Sequence, residues 1–119
     1  MPQGARTDRV AEEFREIVAE ELPRLKDPRI GFVTVTAVQV SPDLRHAWIF
    51  YTVLGDERQQ RATAAGLRSA TAHLRQELGR QVRLKALPEL EFRIDETIAE
   101  DRRIEEIIDR LHREEDPDA

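Results

Sequence analysis

The spacing of apolar side chains changes twice along this chain, and that change restricts the available folds more than any other feature. In residues 7–25, Val10, Phe14, Ile17, Val18, Leu22 and Leu25 recur at the 3.6-residue period of an α-helix. Glu12, Glu13, Arg15, Glu16 and Glu20 take the wet side. Thr7 or Asp8 can cap this helix. Pro23 has no amide hydrogen to donate and is expected to kink or loosen its last turn. From residue 32 the period drops to two. Residues 32–40 and 47–54 are rich in β-branched side chains, and Ser41, Pro42, Asp43 and Leu44 between them have turn chemistry. Runs this close pair as an antiparallel hairpin. After Gly55 and Asp56 the helical period returns over residues 57–79, with Ala62, Ala65, Leu67, Ala70, Leu74 and Leu78 predicted buried and Gly79 as a C-terminal stop. A third strand is predicted at residues 89–94, with Leu90, Phe92 and Ile94 facing in and Glu91 and Arg93 facing out. Thr97 and Glu100 have capping-box spacing ahead of a short helix carrying Ile104, Ile107, Ile108 and Leu111.

The element order is helix, strand, strand, long helix, strand, helix. An α+β fold, one three-stranded sheet covered by helices, satisfies it most economically. A third strand parallel to its neighbour would need a right-handed crossover through the long helix. Neither an internal repeat nor a linker divides the chain. Residues 1–113 therefore read as a single domain and residues 114–119 as a disordered acidic tail.

Composition removes whole classes of function. The chain has no cysteine, which excludes disulfides, zinc–thiolate sites and thiol nucleophiles and suits a reducing cytoplasm. Its apolar runs are too short to span a bilayer, and Arg6, Thr7, Asp8 and Arg9 stand where a signal peptide would need an apolar stretch. His46, His73 and His112 fall in different elements. Ser41 and Ser69 have no nucleophile-elbow context, and the 5 glycines form no phosphate loop. The adjacent carboxylates Asp95–Glu96 and Glu105–Glu106 read as solvated surface in so acidic a chain. No catalytic residue, metal ligand or cofactor is predicted, and a cytoplasmic, monomeric, non-enzymatic protein is the expectation.

The formal charge of −5 argues against a nucleic-acid partner until its distribution is considered. Residues 1–57 carry a net −3, residues 58–93 a net +5 and residues 94–119 a net −7. Local fields govern charge-driven binding, so the cationic middle is what counts. Arg68 and Arg75 lie two turns apart on the long helix, Arg80, Arg83 and Lys85 follow its end, and Arg93 points out of the third strand. This set could line one ridge and hold several phosphates. Equally, it could be a solvated face whose arginines pair with Glu77, Glu89 or Glu91. The aromatics Phe32, Trp48, Phe50, Tyr51 and Phe92 are strand residues better suited to core packing than to base stacking, although Trp48 could share the strand face opposite Ile49.

Several stretches together resemble the ribosome-binding factor A family over residues 6–111. They include Arg6-Thr7-Asp8-Arg9-Val10 at the start and Asp27-Pro28-Arg29 in the connector. The hairpin contributes Val33-Thr34-Val35-Thr36, Val38, Val40-Ser41, Asp43-Leu44 and Ala47, and the second helix Leu74-Arg75 and Leu78. Arg83-Leu84, Pro88-Glu89-Leu90-Glu91-Phe92 and Asp95 form the most recognisable signature, and Arg103-Ile104 opens the last helix.

The resemblance implies a type II KH-like domain. Members kink their second helix at an Ala-x-Gly, where this chain has Ala70-Thr71-Ala72. The alanine favours continuous helix by about 1 kcal/mol and leaves kinked and continuous forms open. The resemblance further implies binding to the free small (30S) ribosomal subunit and its 16S rRNA. The activity would be help with late folding and 5′-end processing of that rRNA, above all in the cold, with other assembly factors, GTPases among them, as further partners. Arg6, Arg9, Arg29, Arg75 and Arg83 become the RNA-binding candidates, with Arg68, Arg80, Lys85 and Arg93 as supporting phosphate contacts. Asp27 could instead pair with Arg29 and hold the connector, and Asp43 and Pro88 read as structural. A protein-interaction adaptor with merely solubilising arginines, or a metal-independent hydrolase, would be the competing functions.

Overall fold

A computed structural model describes residues 3–96. The predicted final helix and acidic tail lie outside the described residues. Helix α1 spans Gln3–Glu21 and continues as a single 3-10 turn, Leu22–Arg24. The α-helix is already running at Gln3, so neither Thr7 nor Asp8 caps it. Pro23 acts as expected: it cannot donate to the carbonyl four residues back, and the chain tightens into the 3-10 turn before Leu25 turns extended. Phe14, Ile17, Val18 and Leu22 are buried from this helix, with Val10 and Leu25 packed at the margin.

Strands β1 (Val33–Val40) and β2 (His46–Val53) form the antiparallel hairpin, one residue shorter at the outer ends than the β-branched runs suggest. Phe32 and Leu54 lie just beyond it. Their parity turns them to the face away from the helices, leaving them 83% and 77% exposed rather than in the core. A register shift between Val35 and Ala37 makes Thr36 the extra residue of a bulge. Helix α2 spans Glu57–Gln81 without interruption, so the alanine at position 72 goes with continuous hydrogen-bonded helix. Asp56 and Gln59 form a reciprocal capping box at its start, with backbone amides 2.9 and 2.8 Å from the partner side-chain oxygens. Its end corrects one expectation: the helix passes through Gly79 and stops at Gln81. A side chain at 79 would run into Leu87, so this glycine serves close approach, not termination.

Strand β3 (Glu89–Ile94) pairs parallel with β2, giving the order β1-β2-β3. Every second β2 residue, Ala47, Ile49 and Tyr51, is buried against α1 and α2. Leu90 and Phe92 reach the same cluster from β3, but Ile94 at the strand end is 38% exposed, not buried as predicted. Leu67, Leu74 and Leu78 are buried from α2. Both helices therefore lie on one face of the sheet. The opposite face carries Ala37, Gln39, His46, Trp48, Phe50 and Arg93, because register partners project to the same side. Of the five aromatics in or beside the strands, Tyr51 and Phe92 pack in the core, where their rings meet edge to face at 6.1 Å. Burial raises the Tyr51 phenol above its ordinary pKa, opposed by the charge of Arg68.

Candidate nucleic-acid interface

At one end of the sheet, the hairpin turn, the first turns of α1 and the segment between α2 and β3 enclose an open groove of about 1070 Å³. The turn is held rigidly by its own side chains. Ser41 Oγ donates to Asp43 Oδ1 at 2.7 Å and accepts from the His46 amide at 3.0 Å, while the Arg45 amide donates to Asp43 Oδ1 at 3.0 Å. Leu44 takes the left-handed conformation, φ 61°, that closes the loop. The Asp43 carboxyl is held below its usual pKa, first by the Ser41 hydroxyl and then by the Arg45 amide. Its charge is thus engaged locally, and the turn presents the Arg45 side chain to the groove.

The opposite wall follows from a short alternation. Val82 and Leu84 turn toward the core, so Arg83 and Lys85 turn outward into solvent. Arg75 fixes this segment where it folds back on α2. Its Nε donates to the Pro88 carbonyl at 2.7 Å and its Nη2 to the Leu87 carbonyl at 3.3 Å, with Glu89 at 3.6 Å. Pro88 is fully buried. The Glu89 amide then donates to the Arg45 carbonyl at 2.8 Å, which ties the two walls together.

The groove gathers Arg6, Arg45, Arg80, Arg83 and Lys85. Four of these are among the predicted contacts, and Arg45 is not. It lies in the acidic first segment of the chain, and only the parallel placement of β3 beside β2 brings it to the cationic island. A sequence clue existed, since a turn ending in Asp43-Leu44-Arg45 must point a side chain away from the hairpin. Among the described residues Arg83 and Lys85 form no ion pair with a carboxylate, and the Arg45 charge acts on the nearby Asp43 carboxyl without a direct ion pair, whereas Arg80 pairs with Glu77 at 2.6 Å.

The remaining candidates are elsewhere. Arg29 grips Asp27 through Nε at 3.0 Å and Nη2 at 2.7 Å, while its carbonyl accepts from Thr63 Oγ1 at 3.3 Å. The connector is thereby clasped to α2, and a Cβ on Gly66 would lie 2.6 Å from Ile30. The connector-holding alternative for Arg29 is the observed arrangement. Arg75 is the clamp just described, and Arg93 pairs with Glu91 at 3.1 Å on the outer sheet face. Arg68 is exposed near Tyr51, away from the groove, and Arg9 is exposed on α1 without lining it. Glu77, Glu89 and Glu91, the three carboxylates that could neutralise the island, each hold one arginine of it. No group of three His, Asp or Glu among the described residues is placed to hold a metal ion, and no helix among them is long and apolar enough to cross a membrane.

The family model for ribosome-binding factor A matches residues 6–108. This chain belongs to the ribosome-binding factor A family. Ribosome-binding factor A of Gemmatimonas aurantiaca is 48% identical over 116 residues, covering 96% of this chain and 80% of that one. The solution structure of a Thermotoga maritima putative ribosome-binding factor A superposes with a TM-score of 0.69 at 29% identity, covering 78% of this chain and 90% of its own. Thermus thermophilus ribosome-binding factor A coordinates fitted into the cryo-EM map of a 30S–RbfA complex give a TM-score of 0.63 at 29% identity, covering 75% and 94%. The α+β, KH-like arrangement implied by the ribosome-binding factor A resemblance is therefore the fold of this chain, with helix–strand–strand–helix–strand observed among the described residues.

Proposed function

We propose that this chain binds the free 30S subunit through 16S rRNA and assists its late maturation, including processing of the rRNA 5′ end, by binding energy alone. The observation that carries this reading is the convergence of Arg83 and Lys85, neither in an ion pair among the described residues, with Arg6, Arg45 and Arg80 in one groove of a ribosome-binding factor A fold. Guanidinium and ammonium groups at the rim of an open groove suit phosphate oxygens and make no demand on base identity. A protein that anchors a rare conformer of an rRNA segment shifts that segment's folding equilibrium without making or breaking a bond. The thermal energy available to escape misfolded RNA falls on cooling, so the need for such assistance rises in the cold. The chain would act in the cytoplasm as a monomer, beside other assembly factors.

Sucrose-gradient sedimentation of a cell lysate tests this directly. The protein is expected with free small subunits at low salt and progressively at the top of the gradient as salt rises. Recovery at the top of the gradient at low salt, or undiminished co-migration at high salt, would contradict phosphate-anchored binding.

A further inference from the structure

The helices cover one face of the sheet, and the central strand β2 turns three rings to the other. His46, Trp48 and Phe50 alternate with the buried Ala47, Ile49 and Tyr51 and so project outward. The His46 ring leans on Trp48, with centroids 4.7 Å and planes 35° apart. Trp48 and Phe50 are each half-buried. Polar side chains surround these rings. Gln39 of β1 and Glu91 of β3 flank Trp48, Arg93 flanks Phe50, and the Thr34–Thr52 pair follows. Arg93 pairs with Glu91 at 3.1 Å, while the Gln39 side-chain amide makes no hydrogen bond among the described residues. An apolar protein surface laid here would strip water from these groups and return no hydrogen bonds. A nucleobase has the opposite requirement: an aromatic face for its plane, and donors and acceptors for its polar edges.

Spacing and position agree with such a ligand. Two residues along a strand advance about 7 Å, twice the roughly 3.4 Å rise between stacked bases. Among the described residues no ring contact joins Trp48 to Phe50, so the spacing suits one base between them. The rings also adjoin the groove. Arg45, on the groove wall, immediately precedes His46, and Trp48 lies about 10 Å from it along β2. An RNA strand leaving the groove along β2 meets Trp48 next. We propose that the outer face of the sheet is a nucleobase-binding site, where an unpaired base of an RNA strand stacks on Trp48 and Phe50 and meets Gln39 and the Glu91–Arg93 pair at its edges. The groove holds phosphates without regard to base identity, and this face adds the contact to a base. The proposal rests on the rRNA reading for the nature of the strand, and its test keeps the two apart.

Trp48 is the single tryptophan and reports its own stacking. The full-length chain is titrated with a short single-stranded RNA, and with an abasic ribose-phosphate strand of the same length and charge. The RNA is expected to quench Trp48 emission and to bind roughly tenfold tighter than the abasic strand. In filter binding, Trp48→Leu should erase that difference and leave the abasic strand bound as before, which also shows that the variant is folded. Trp48→Phe, which keeps a ring, should recover most of the difference. Equal affinity for the two strands with no quenching overturns the proposal and leaves the groove standing. Quenching by RNA with a salt dependence that Arg83→Glu and Lys85→Glu do not alter keeps the base site and removes the groove. A Trp48→Leu protein that binds both strands like the parent, yet binds free small subunits more weakly, overturns the proposal and assigns the face to a protein of the subunit.

Discussion

Arg75 and Arg83 are eight residues apart in one cationic island, yet the structure gives them opposite work. Arg75 faces backbone: two carbonyls and a carboxylate take its guanidinium, and the segment leading into β3 is fixed by it. Arg83 faces water, because Val82 and Leu84 on either side turn toward the core. Arg29 and Arg93 share the fate of Arg75, Lys85 shares that of Arg83, and Arg45 lines the same groove beside Asp43. The lesson is that a charge island sorts itself by its nearest carboxylates and by strand parity. Asp27 lies two residues from Arg29, Glu91 two from Arg93, and Glu77 three from Arg80; no acidic residue lies that close to Arg83 or Lys85, and Asp43, two residues from Arg45, is held first by the Ser41 hydroxyl and the Arg45 amide.

Reversing the charge of the free group should have the greatest consequence. Arg45→Glu, Arg83→Glu and Lys85→Glu together are expected to weaken binding of free small subunits by roughly 100-fold or more at moderate salt. The log–log salt slope should flatten by about 0.9 per lost phosphate contact. Thermal stability should stay within a few degrees of the parent, since none of the three side chains holds structure. Filter binding over a salt series, beside a melting curve, checks both halves. Unchanged affinity would move the interface off this groove.

The fixed group should behave in the opposite way. Arg75→Ala removes two charge-assisted hydrogen bonds and leaves the Leu87 and Pro88 carbonyls without that donor. A loss of about 2 kcal/mol is expected, or roughly 10 °C in melting temperature for a domain of this size. Arg75→Lys should recover little of it, because an ammonium cannot span both carbonyls as the planar fork does. Chemical denaturation measures the change. A stable Arg75→Ala protein that fails to bind would return Arg75 to the interface.

Much of this fold was legible because hydrophobic period is a local property. The α1 stripe from Val10 to Leu25, the hairpin and the extent of β3 all follow from it. What escaped depends on distant partners. Gly79 looks like a helix stop by type, and only the return of Leu87 onto α2 explains it. Arg45 was invisible as a groove residue because the crossover that places β3 beside β2 decides its neighbours. Phe32 and Leu54 satisfy the strand pattern, but the ladder ends one residue inside them, and parity turns them away from the helices. The family glycine of the second helix gives a further test of local against tertiary control. Ala72 is exposed in an uninterrupted helix, so Ala72→Gly should cost about 1 kcal/mol in urea titrations. A kinked helix would lose almost nothing.

The smallest expected effect concerns the clasp on the connector. Hydrogen bonds from the Arg29 side chain, and then from its amide, hold the Asp27 carboxyl below its usual pKa. A depressed carboxylate pKa stabilises the fold at pH values above the unfolded pKa, near 3.9, and that contribution fades as pH falls through the folded value. Asp27→Asn should therefore be less stable than the parent at neutral pH, with the gap closing only on the acid side of the ordinary carboxylate range. Taking the difference between the two proteins cancels the similarly depressed Asp43, which both retain. The pair is solvent-exposed, so 1 M salt should shrink the neutral-pH gap. A gap constant from pH 7 to pH 2 would mean that the asparagine disturbs the connector by shape and not by charge. The same variant releases the Arg29 guanidinium: unchanged affinity for small subunits would keep Arg29 among the structural arginines, and tighter binding would add it to the groove's set.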